Sequence, residues 1–255
     1  MSYPYEEILS QFEPMTLSEM DSVALLDRTD TKYVVNTAML DTILKGLQSS
    51  YKILDINGLR YFNYESYYFD TPDLSLFTKH HNGISNRLKM RYRRYVQSDL
   101  NFFEIKFKNN KSRTIKKRVM TDTAGVNLCD KAKELIATRT NMNATDLQIA
   151  ATINYARITL ISKNMDERAT IDLNLEVIRN GVTKHFPSLA IVEVKQAKFD
   201  YSSPINRLLK SMHIIPASLS KYCWAMTQCD STLKANNFKS QQLYVSKILN
   251  QKQSN

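Results

Sequence analysis

Glycine and proline are scarce in this chain, which has 5 glycines and 6 prolines among 255 residues. Neither a Walker-type Gly-Lys-Ser/Thr nor a Gly-x-Gly-x-x-Gly motif occurs in the sequence, and these are the glycine-rich loops that hold phosphates in many nucleotide-binding proteins. Collagen-like and linker-rich chains need far more of both residues. The scarcity therefore argues against a glycine-loop nucleotide site and against collagen-like or linker-rich architectures.

Cysteines and long apolar runs are also few. The cysteines Cys129, Cys223 and Cys229 are odd in number and lack metal-ligand spacing, so we expect free thiols in a reducing compartment. No run of about 18 apolar residues is present, and the first residues, Met1–Glu7, lack the basic and apolar regions of a signal peptide. The sequence predicts a cytoplasmic protein without a membrane span, which either works alone or uses a separate membrane protein as its partner.

Basic residues outnumber acidic ones by 35 to 25, which gives a formal net charge of +10. An excess of this size predicts an acidic partner, which could be nucleic acid, anionic lipid or a phosphate-rich small molecule. The length suffices for a sizeable core, and no break in composition divides the chain. We expect one domain over residues 1–230 and a polar, basic, loosely held tail over residues 231–255.

Four segments place charged residues at alternate positions with apolar or aromatic residues between them. Side chains alternate between the two faces of a β-strand, so each segment predicts a strand with one charged and one apolar face. The segments are Arg87–Arg93, Phe103–Lys108, Arg168–Glu176 and Ile191–Lys195. Arginines in one row repel each other unless a strong anion lies beside them, and a polyanionic ligand would meet that need.

Alternating charge in a single strand usually marks the solvent face of a sheet that is packed on its other side. Here several strands share the pattern, and acids recur among the bases, as in Glu104-Ile105-Lys106 and Glu193-Val194-Lys195. Closing the sheet would turn the apolar rows outward against helices and the charged rows into a wet bore. The sequence therefore predicts an α+β fold in which helices surround a closed antiparallel β-barrel with a basic lumen.

Six ordered motifs carry a resemblance to a known family. They are Arg28–Tyr33, Tyr68–Thr71, Arg87–Arg93, Phe103–Lys106, Ile191–Lys195 and Ser220–Tyr222. Over roughly residues 20–230 they resemble the polyphosphate polymerase (VTC) domain of the vacuolar transporter chaperone complex, a triphosphate tunnel metalloenzyme. The resemblance implies an antiparallel barrel around a basic tunnel, with ATP and inorganic polyphosphate or triphosphate as ligands and Mn²⁺ or Mg²⁺ as cofactor.

Basic and acidic positions of this sequence take their expected roles from the resemblance. The implied phosphate contacts are Lys32, Arg91, Arg93, Lys106, Lys116, Arg118, Arg168, Lys195 and Lys221. Those expected to act in catalysis are Arg91, Arg93, Arg168 and Lys106. Glu193 matches the metal-binding carboxylate, while Glu104, Asp172 and Glu176 would either help to bind the metal or balance neighbouring bases. Arg87 and Lys89 extend the basic row toward a tunnel mouth, and no histidine receives a role.

The implied reaction is attack by the terminal phosphate of a growing polyphosphate chain on the γ-phosphate of ATP. A triphosphatase of the same fold, in which water attacks, remains an alternative, as does a non-catalytic module that binds polyphosphate or inositol phosphates. Hydrolase relatives often carry Glu-x-Glu-x-Lys on the first strand, whereas this chain has Arg28-Thr29-Asp30-Thr31-Lys32, which favours transfer. Nucleic-acid binding is not expected, because Tyr92, Tyr95, Phe103 and Phe107 are expected on the row opposite the cations.

Overall fold

One large sheet forms most of the protein. The computed structural model describes residues 5–21, 28–111 and 113–250. The strands in these ranges are β1 (Glu13–Met15), β2 (Thr29–Asn36), β3 (Tyr51–Leu54), β4 (Phe62–Asp70), β5 (Arg87–Tyr95), β6 (Leu100–Lys108), β7 (Thr114–Thr121), β8 (Gln148–Ser162), β9 (Glu167–Arg179), β10 (Val182–Phe186) and β11 (Leu189–Gln196). The helices are α1 (Glu6–Ser10), α2 (Leu17–Asp21), α3 (Leu40–Leu47), α4 (Ser75–His81), α5 (Asp130–Arg139), α6 (Pro204–Ser211), α7 (Lys221–Cys229) and α8 (Lys239–Leu249).

The main path of the sheet runs in the order β2, β11, β9, β8, β4, β5, β6, β7. Every neighbouring pair on this path is antiparallel. Beside it, β3 pairs with β8 and β10 pairs with β9, while the short β1 runs parallel to β3. The predicted α+β class with a large antiparallel sheet is confirmed.

The sheet is not closed into a barrel, and in this respect the sequence prediction is not confirmed. The free edge of β2 is covered by the segment that leads into α7, because Tyr33 forms a bridge with Pro216 and the Ala217 N–H donates to the Lys32 carbonyl at 2.7 Å. The other outer strand, β7, exposes three successive cations, Lys116 to Arg118, and lysines on an edge strand discourage further pairing. We call residues 216–221 the crossing segment.

The two ends of the sheet nevertheless approach each other. Lys106 lies on β6, and burial lowers the pKa of its ammonium group. The charges that act on Lys106 most strongly are those of Glu193 on β11 and Lys32 on β2, at the opposite end of the strand order. The sheet therefore curves into a trough, and its concave face carries the charged rows.

Helices cover the convex face. A cluster that includes Val35, Ile171 and Val192 packs with α1, α3 and α6, whose buried residues include Leu44 and Ile205. On β5 and β6 a second cluster joins Met90, Tyr92 and Phe103 to α5 through Ile136. Burying a large apolar side chain contributes about 1.5–3 kcal/mol. The apolar row of each strand thus faces a helical layer.

The concave face is itself filled at one end by α7. Tyr222, Trp224 and Met226 pack there with Leu175, Val177 and other residues of the strands. The residues after Asp230 join this core, because Phe238, Val245 and Ile248 are buried in it and the Asn36 side-chain amide donates to the Ile248 carbonyl at 3.0 Å. In the described part, up to residue 250, the predicted loosely held tail is wrong. Its apolar residues pack against this core instead.

No helix among the described residues combines the length and the apolar character that crossing a membrane requires.

Candidate functional site

The basic row of β5 lies on the concave face of the trough. Directly paired residues of neighbouring strands point to the same side, and Arg91 pairs with Glu104, Arg93 with Phe102 and Lys89 with Lys106. On the next strand Lys116 pairs with Lys106 and Arg118 with Glu104. Met90 and Tyr92, between the cations, belong instead to the convex cluster under α5.

The opposite wall comes from β2, β11 and β9. Glu193 pairs with Lys32 on one side and with Thr170 on the other, and Lys195 pairs with Arg168. Lys221, at the start of α7, reaches the same wall because its Nζ lies 2.5 Å from Asp172 Oδ2. The fold thus brings to one face the residues expected to contact phosphate, which are Lys32, Arg91, Arg93, Lys106, Lys116, Arg118, Arg168, Lys195 and Lys221. Their roles stay predictions.

Glu104 is surrounded by cations. Its side chain is 3% exposed, its Oε2 lies 2.7 Å from Arg91 Nη2, and its Oε1 lies 2.5 Å from Lys116 Nζ and 3.9 Å from Arg93 Nη1. Burial alone would raise the pKa of this carboxyl, but the three positive charges hold it well below its ordinary value. Glu104 therefore balances the bases of the trough and has little capacity left for a metal.

Asp172 is in the same situation on the other wall. The guanidinium of Arg157 grips it with two hydrogen bonds, Nε to Oδ1 at 2.5 Å and Nη2 to Oδ2 at 2.8 Å, and Lys221 adds a third contact. The side chain is fully buried, which would raise the pKa, yet the charges of Arg157 and Lys221 lower it to about 2. Asp172 thus stays ionised as the counter-charge of two buried cations.

Glu176 does not share the row of Asp172, although strict alternation along β9 predicts that it should. The register of β8 and β9 shifts between Asn154 and Ala156, and Asn174 takes a positive φ of 51°. A bulge of this kind moves the following side chains to the other face. Glu176 consequently pairs with His185 at 3.3 Å on the convex side, so its expected role near the metal is wrong.

Glu193 remains as the carboxylate best suited to a metal. Its Oε1 lies 2.8 Å from Lys195 Nζ and 3.5 Å from Lys32 Nζ. Burial opposes ionisation, but Lys195 and Lys32 hold the pKa of Glu193 well below its ordinary value. No group of three or more histidine, cysteine or carboxylate side chains that could cage a metal occurs among the described residues. The donor set therefore fits an ion such as Mg²⁺ or Mn²⁺ that binds one carboxylate together with substrate phosphates and water.

Arg157 and Tyr155 belong to the site, but the sequence analysis missed both. Arg157 lies beside two stacked rings, with its guanidinium carbon 5.0 Å from the centroid of Tyr64 and 5.3 Å from that of Tyr155. Burial would raise the pKa of Tyr155, yet Arg93 and Arg157 lower it. β8 carries a single charge within an otherwise uncharged strand, so no alternating row of charges marked it. The sequence signal that could have identified Arg157 is that it is the single charged residue of this strand.

One aromatic placement also differs from the prediction. Tyr95 packs against Tyr64 with ring centroids 4.9 Å apart and lies in the row of Arg93 on the concave side. Tyr92 and Phe103 do lie on the convex side, as expected. Side chains alternate along a strand, so residues 93 and 95 of β5 lie on the same face and Tyr95 belongs to the row of the cations.

Two steps of the β5–β6 ladder contain only cations. Lys89 lies opposite Lys106, and Arg87 lies opposite Lys108, an arrangement in which like charges destabilise an empty sheet. Burial lowers the pKa of Lys89 to about 8, with repulsion from Lys106 and Lys32 acting in the same direction. Within the described residues, no carboxylate lies within ion-pairing distance of these four side chains. We call Arg87, Lys89, Lys106 and Lys108 the unpaired ladder.

A curved antiparallel sheet whose concave face is lined by cations is suited to binding anions. The family model of the VTC domain matches residues 27–229 of the chain. The protein belongs to the VTC domain family, and the resemblance seen in the six motifs is thereby confirmed.

Several solved structures are similar to the chain at low identity. A putative adenylate cyclase from Vibrio parahaemolyticus is 12% identical, with a TM-score of 0.48 over 76% of this chain and 95% of that one. One from Bacillus halodurans is 11% identical, with a TM-score of 0.48 over 77% and 96%. A putative adenylyl cyclase from Hippeastrum, described as having a dominant triphosphatase activity, is 12% identical, with a TM-score of 0.48 over 78% and 95%. No curated protein matches the chain significantly.

Proposed function

We propose that the protein is a divalent-metal-dependent polyphosphate polymerase that transfers the γ-phosphate of ATP to a growing chain of inorganic polyphosphate. The observation that carries this proposal is the unpaired ladder. Arg91 and Arg93 already share Glu104, whereas the ladder adds four cations that form no ion pair with a carboxylate among the described residues. A row of this length suits a polyanion longer than a triphosphate, because each further phosphate would neutralise another cation.

The protein's own contribution to such a transfer is positioning and charge stabilisation. Phosphoryl transfer needs no side-chain nucleophile, and cations placed around the transferred group lower the barrier. Arg91, Arg93 and Arg168, with Lys106, would hold the oxygens of the transferred phosphoryl group. Arg157, fixed by Asp172 and by its two tyrosines, would contribute a preorganised cation to the same space. The lysines would follow the chain as adaptable point charges.

Glu193 would hold the metal, whose chemistry is to neutralise charge that develops on the phosphate oxygens. In the structure, Lys195 and Lys32 form ion pairs with the Glu193 carboxylate. Both are flexible, so they can turn from Glu193 to phosphate when a metal-bound substrate enters. That exchange would keep Glu193, Lys32 and Lys195 each paired with an opposite charge.

The decisive experiment is incubation of the purified protein with ATP and Mn²⁺, followed by gel analysis for polyphosphate and assay of free phosphate. Polymer together with ADP supports the polymerase. Free phosphate without polymer identifies the triphosphatase instead. Binding of polyphosphate with neither product identifies a non-catalytic module.

We expect Glu193→Gln to abolish metal-dependent turnover and to retain tripolyphosphate binding. The amide keeps the shape of the side chain but offers no anionic ligand, and its neutrality frees Lys32 and Lys195 for phosphate. Turnover across a Mn²⁺ titration and metal-free calorimetry measure the two effects. Glu65→Gln is the control, because Glu65 pairs with Arg94 on the convex face. Parental activity of Glu193→Gln at the ordinary Mn²⁺ concentration would refute the metal assignment.

We expect polyphosphate of about 20 units to bind at least about tenfold more tightly than tripolyphosphate at equal ionic strength, and Arg87→Ala with Lys108→Ala to remove most of that difference. The double variant should leave tripolyphosphate binding nearly unchanged. Calorimetry with both ligands measures this. Lys117→Ala is the control, since Lys117 pairs with Ile105 on the convex side. Equal losses of affinity for both ligands would mean that a longer polyphosphate chain does not extend along the unpaired ladder.

A further inference from the structure

The first turn of α7 is attached to three different strands by three consecutive residues. Ser220 Oγ accepts a hydrogen bond from Lys89 Nζ of β5 at 2.7 Å, and Lys221 Nζ contacts Asp172 of β9 at 2.5 Å. The Tyr222 hydroxyl donates to Asp70 Oδ2 of β4 at 2.5 Å. The first two contacts lie in the row of cations, whereas the third is buried behind it.

Asp70 is a fully buried carboxylate that makes no ion pair among the described residues. Its Oδ1 accepts from the backbone N–H groups of Thr71 and Leu76 at 2.8 and 2.9 Å. Its Oδ2 accepts from the Phe77 N–H at 2.8 Å and from Tyr222. Asp70 therefore holds the start of α4 and the start of α7 from a single point at the end of β4.

Tyr222 is held by its ring as well as by its hydroxyl. The ring stacks on Tyr68 with centroids 5.1 Å apart and an interplanar angle of 17°, and Tyr68 in turn accepts a hydrogen bond from Arg91 Nη1 at 2.8 Å. Burial raises the pKa of Tyr222, and the adjacent Asp70 charge raises it further, so the hydroxyl stays protonated as a donor. Tyr222 therefore contacts both Asp70, which anchors α7, and Tyr68, which is hydrogen-bonded to Arg91. Arg91 is one of the predicted phosphate contacts.

We propose that Asp70 and Tyr222 are positioning residues, which fix the register of α7 so that Lys221 faces the phosphate path. The inference rests on the phosphate binding proposed above. It also connects two of the six motifs, Tyr68–Thr71 and Ser220–Tyr222, which lie far apart in sequence. Asp70 of the first motif accepts the buried hydrogen bond that Tyr222 of the second donates, and this bond joins β4 to α7.

The geometry explains why the hydroxyl is needed. Without it, the stack on Tyr68 still holds the ring, but rotation of α7 about its axis is no longer restrained by a directional bond. A rotation of the first turn would move Lys221 away from the concave face and leave Asp172 with Arg157 alone. Asp70 would keep its three backbone donors, so the loss should affect α7 and not the whole fold.

The test is a double-mutant cycle on tripolyphosphate affinity, measured by calorimetry with Tyr222→Phe, Lys221→Ala and the combined variant. Each single change is expected to weaken binding about tenfold, and the combined variant to bind no more weakly than Lys221→Ala, because Tyr222 acts through Lys221. If the combined variant lost affinity by the product of the two single losses, the proposal would be overturned. Parental affinity of Tyr222→Phe would overturn it as well. Tyr201→Phe, which changes a tyrosine that is 76% exposed, should match the parent.

Two further measurements separate positioning from general instability. Hydrogen exchange of Tyr222→Phe should accelerate over residues 221–226 and remain unchanged in β5 and β6, whereas acceleration across the whole sheet would contradict the proposal. If Tyr222→Phe does not fold, Asp70→Asn replaces it in the same cycle, with the same expected coupling. A parent protein that fails to bind tripolyphosphate would refute the proposed function itself, which is a different outcome from uncoupled variants.

Discussion

The Arg93→Ala variant is expected to lose at least about 100-fold in polyphosphate synthesis while it melts at the parental temperature or above. A cation that contacts the transferred phosphoryl group contributes at least this much to the rate. Arg93 is, however, 8% exposed, its Nε has no hydrogen-bond partner among the described residues, and Glu104 is 3.9 Å away. Removing this poorly paired charge relieves repulsion from Arg91, which offsets the lost packing.

Arg94→Ala is the matched control for this experiment. Arg94 is the next residue of β5, points to the convex side and pairs with Asp99 at 2.9 Å and Glu65 at 3.6 Å. We expect parental turnover, since exposed pairs of this kind contribute little. Single-turnover rates and thermal melts of both variants measure the effects. If Arg93→Ala retains parental turnover, Arg93 does not hold the transferred group.

Asp172→Ala is expected to destabilise the protein by about 3–5 kcal/mol, because it leaves the buried charges of Arg157 and Lys221 without their counter-ion. For a chain of this size each kcal/mol lowers the melting temperature by about 2–4 °C. Tripolyphosphate should restore more stability to this variant than it adds to the parent protein, since phosphate oxygens can take the place of the missing carboxylate. Thermal melts with and without ligand measure both effects.

The control for Asp172→Ala is Asp130→Ala on α5. Asp130 pairs with Lys133 at 3.1 Å, but its side chain is 99% exposed, so its removal should leave the melting temperature unchanged. A loss at Asp172 no greater than that at Asp130 would show that water already neutralises Arg157 and Lys221. The charged rows would then be open to solvent throughout.

Period-two patterns predicted the strands and their facing residues well where a strand is regular. The rows of Arg91 and Glu193 follow directly from alternation, because steric alternation along a strand is local and needs no tertiary information. The bulge near Asn174 breaks this rule, and it placed Glu176 on the opposite face. A bulge depends on the partner strand, which a single sequence does not identify.

Contacts between distant segments could not be predicted in the same way. The pairing of Pro216 with β2, which occupies an edge that a closed barrel would need, depends on how a loop folds back. The burial of Val245 and Ile248 depends on an apolar surface assembled from several elements. Arg157 was missed because its role arises from Asp172 and two tyrosines on other strands. Each of these features is determined by tertiary structure.

If the protein binds polyphosphate as proposed, the free edges of β2 and β7 would determine how a long polymer is loaded. A closed ring of strands would admit a linear polymer only by threading one of its ends, so loading would slow as chains lengthen and ends become rare. In this sheet β2 and β7 are not paired with each other, and the crossing segment bridges the free edge of β2 at Tyr33. Under the proposed function, an unclosed sheet would accept a preformed chain from the side at any internal unit. Capture would then scale with the total number of phosphate units, and circular polyphosphates would be ligands as well.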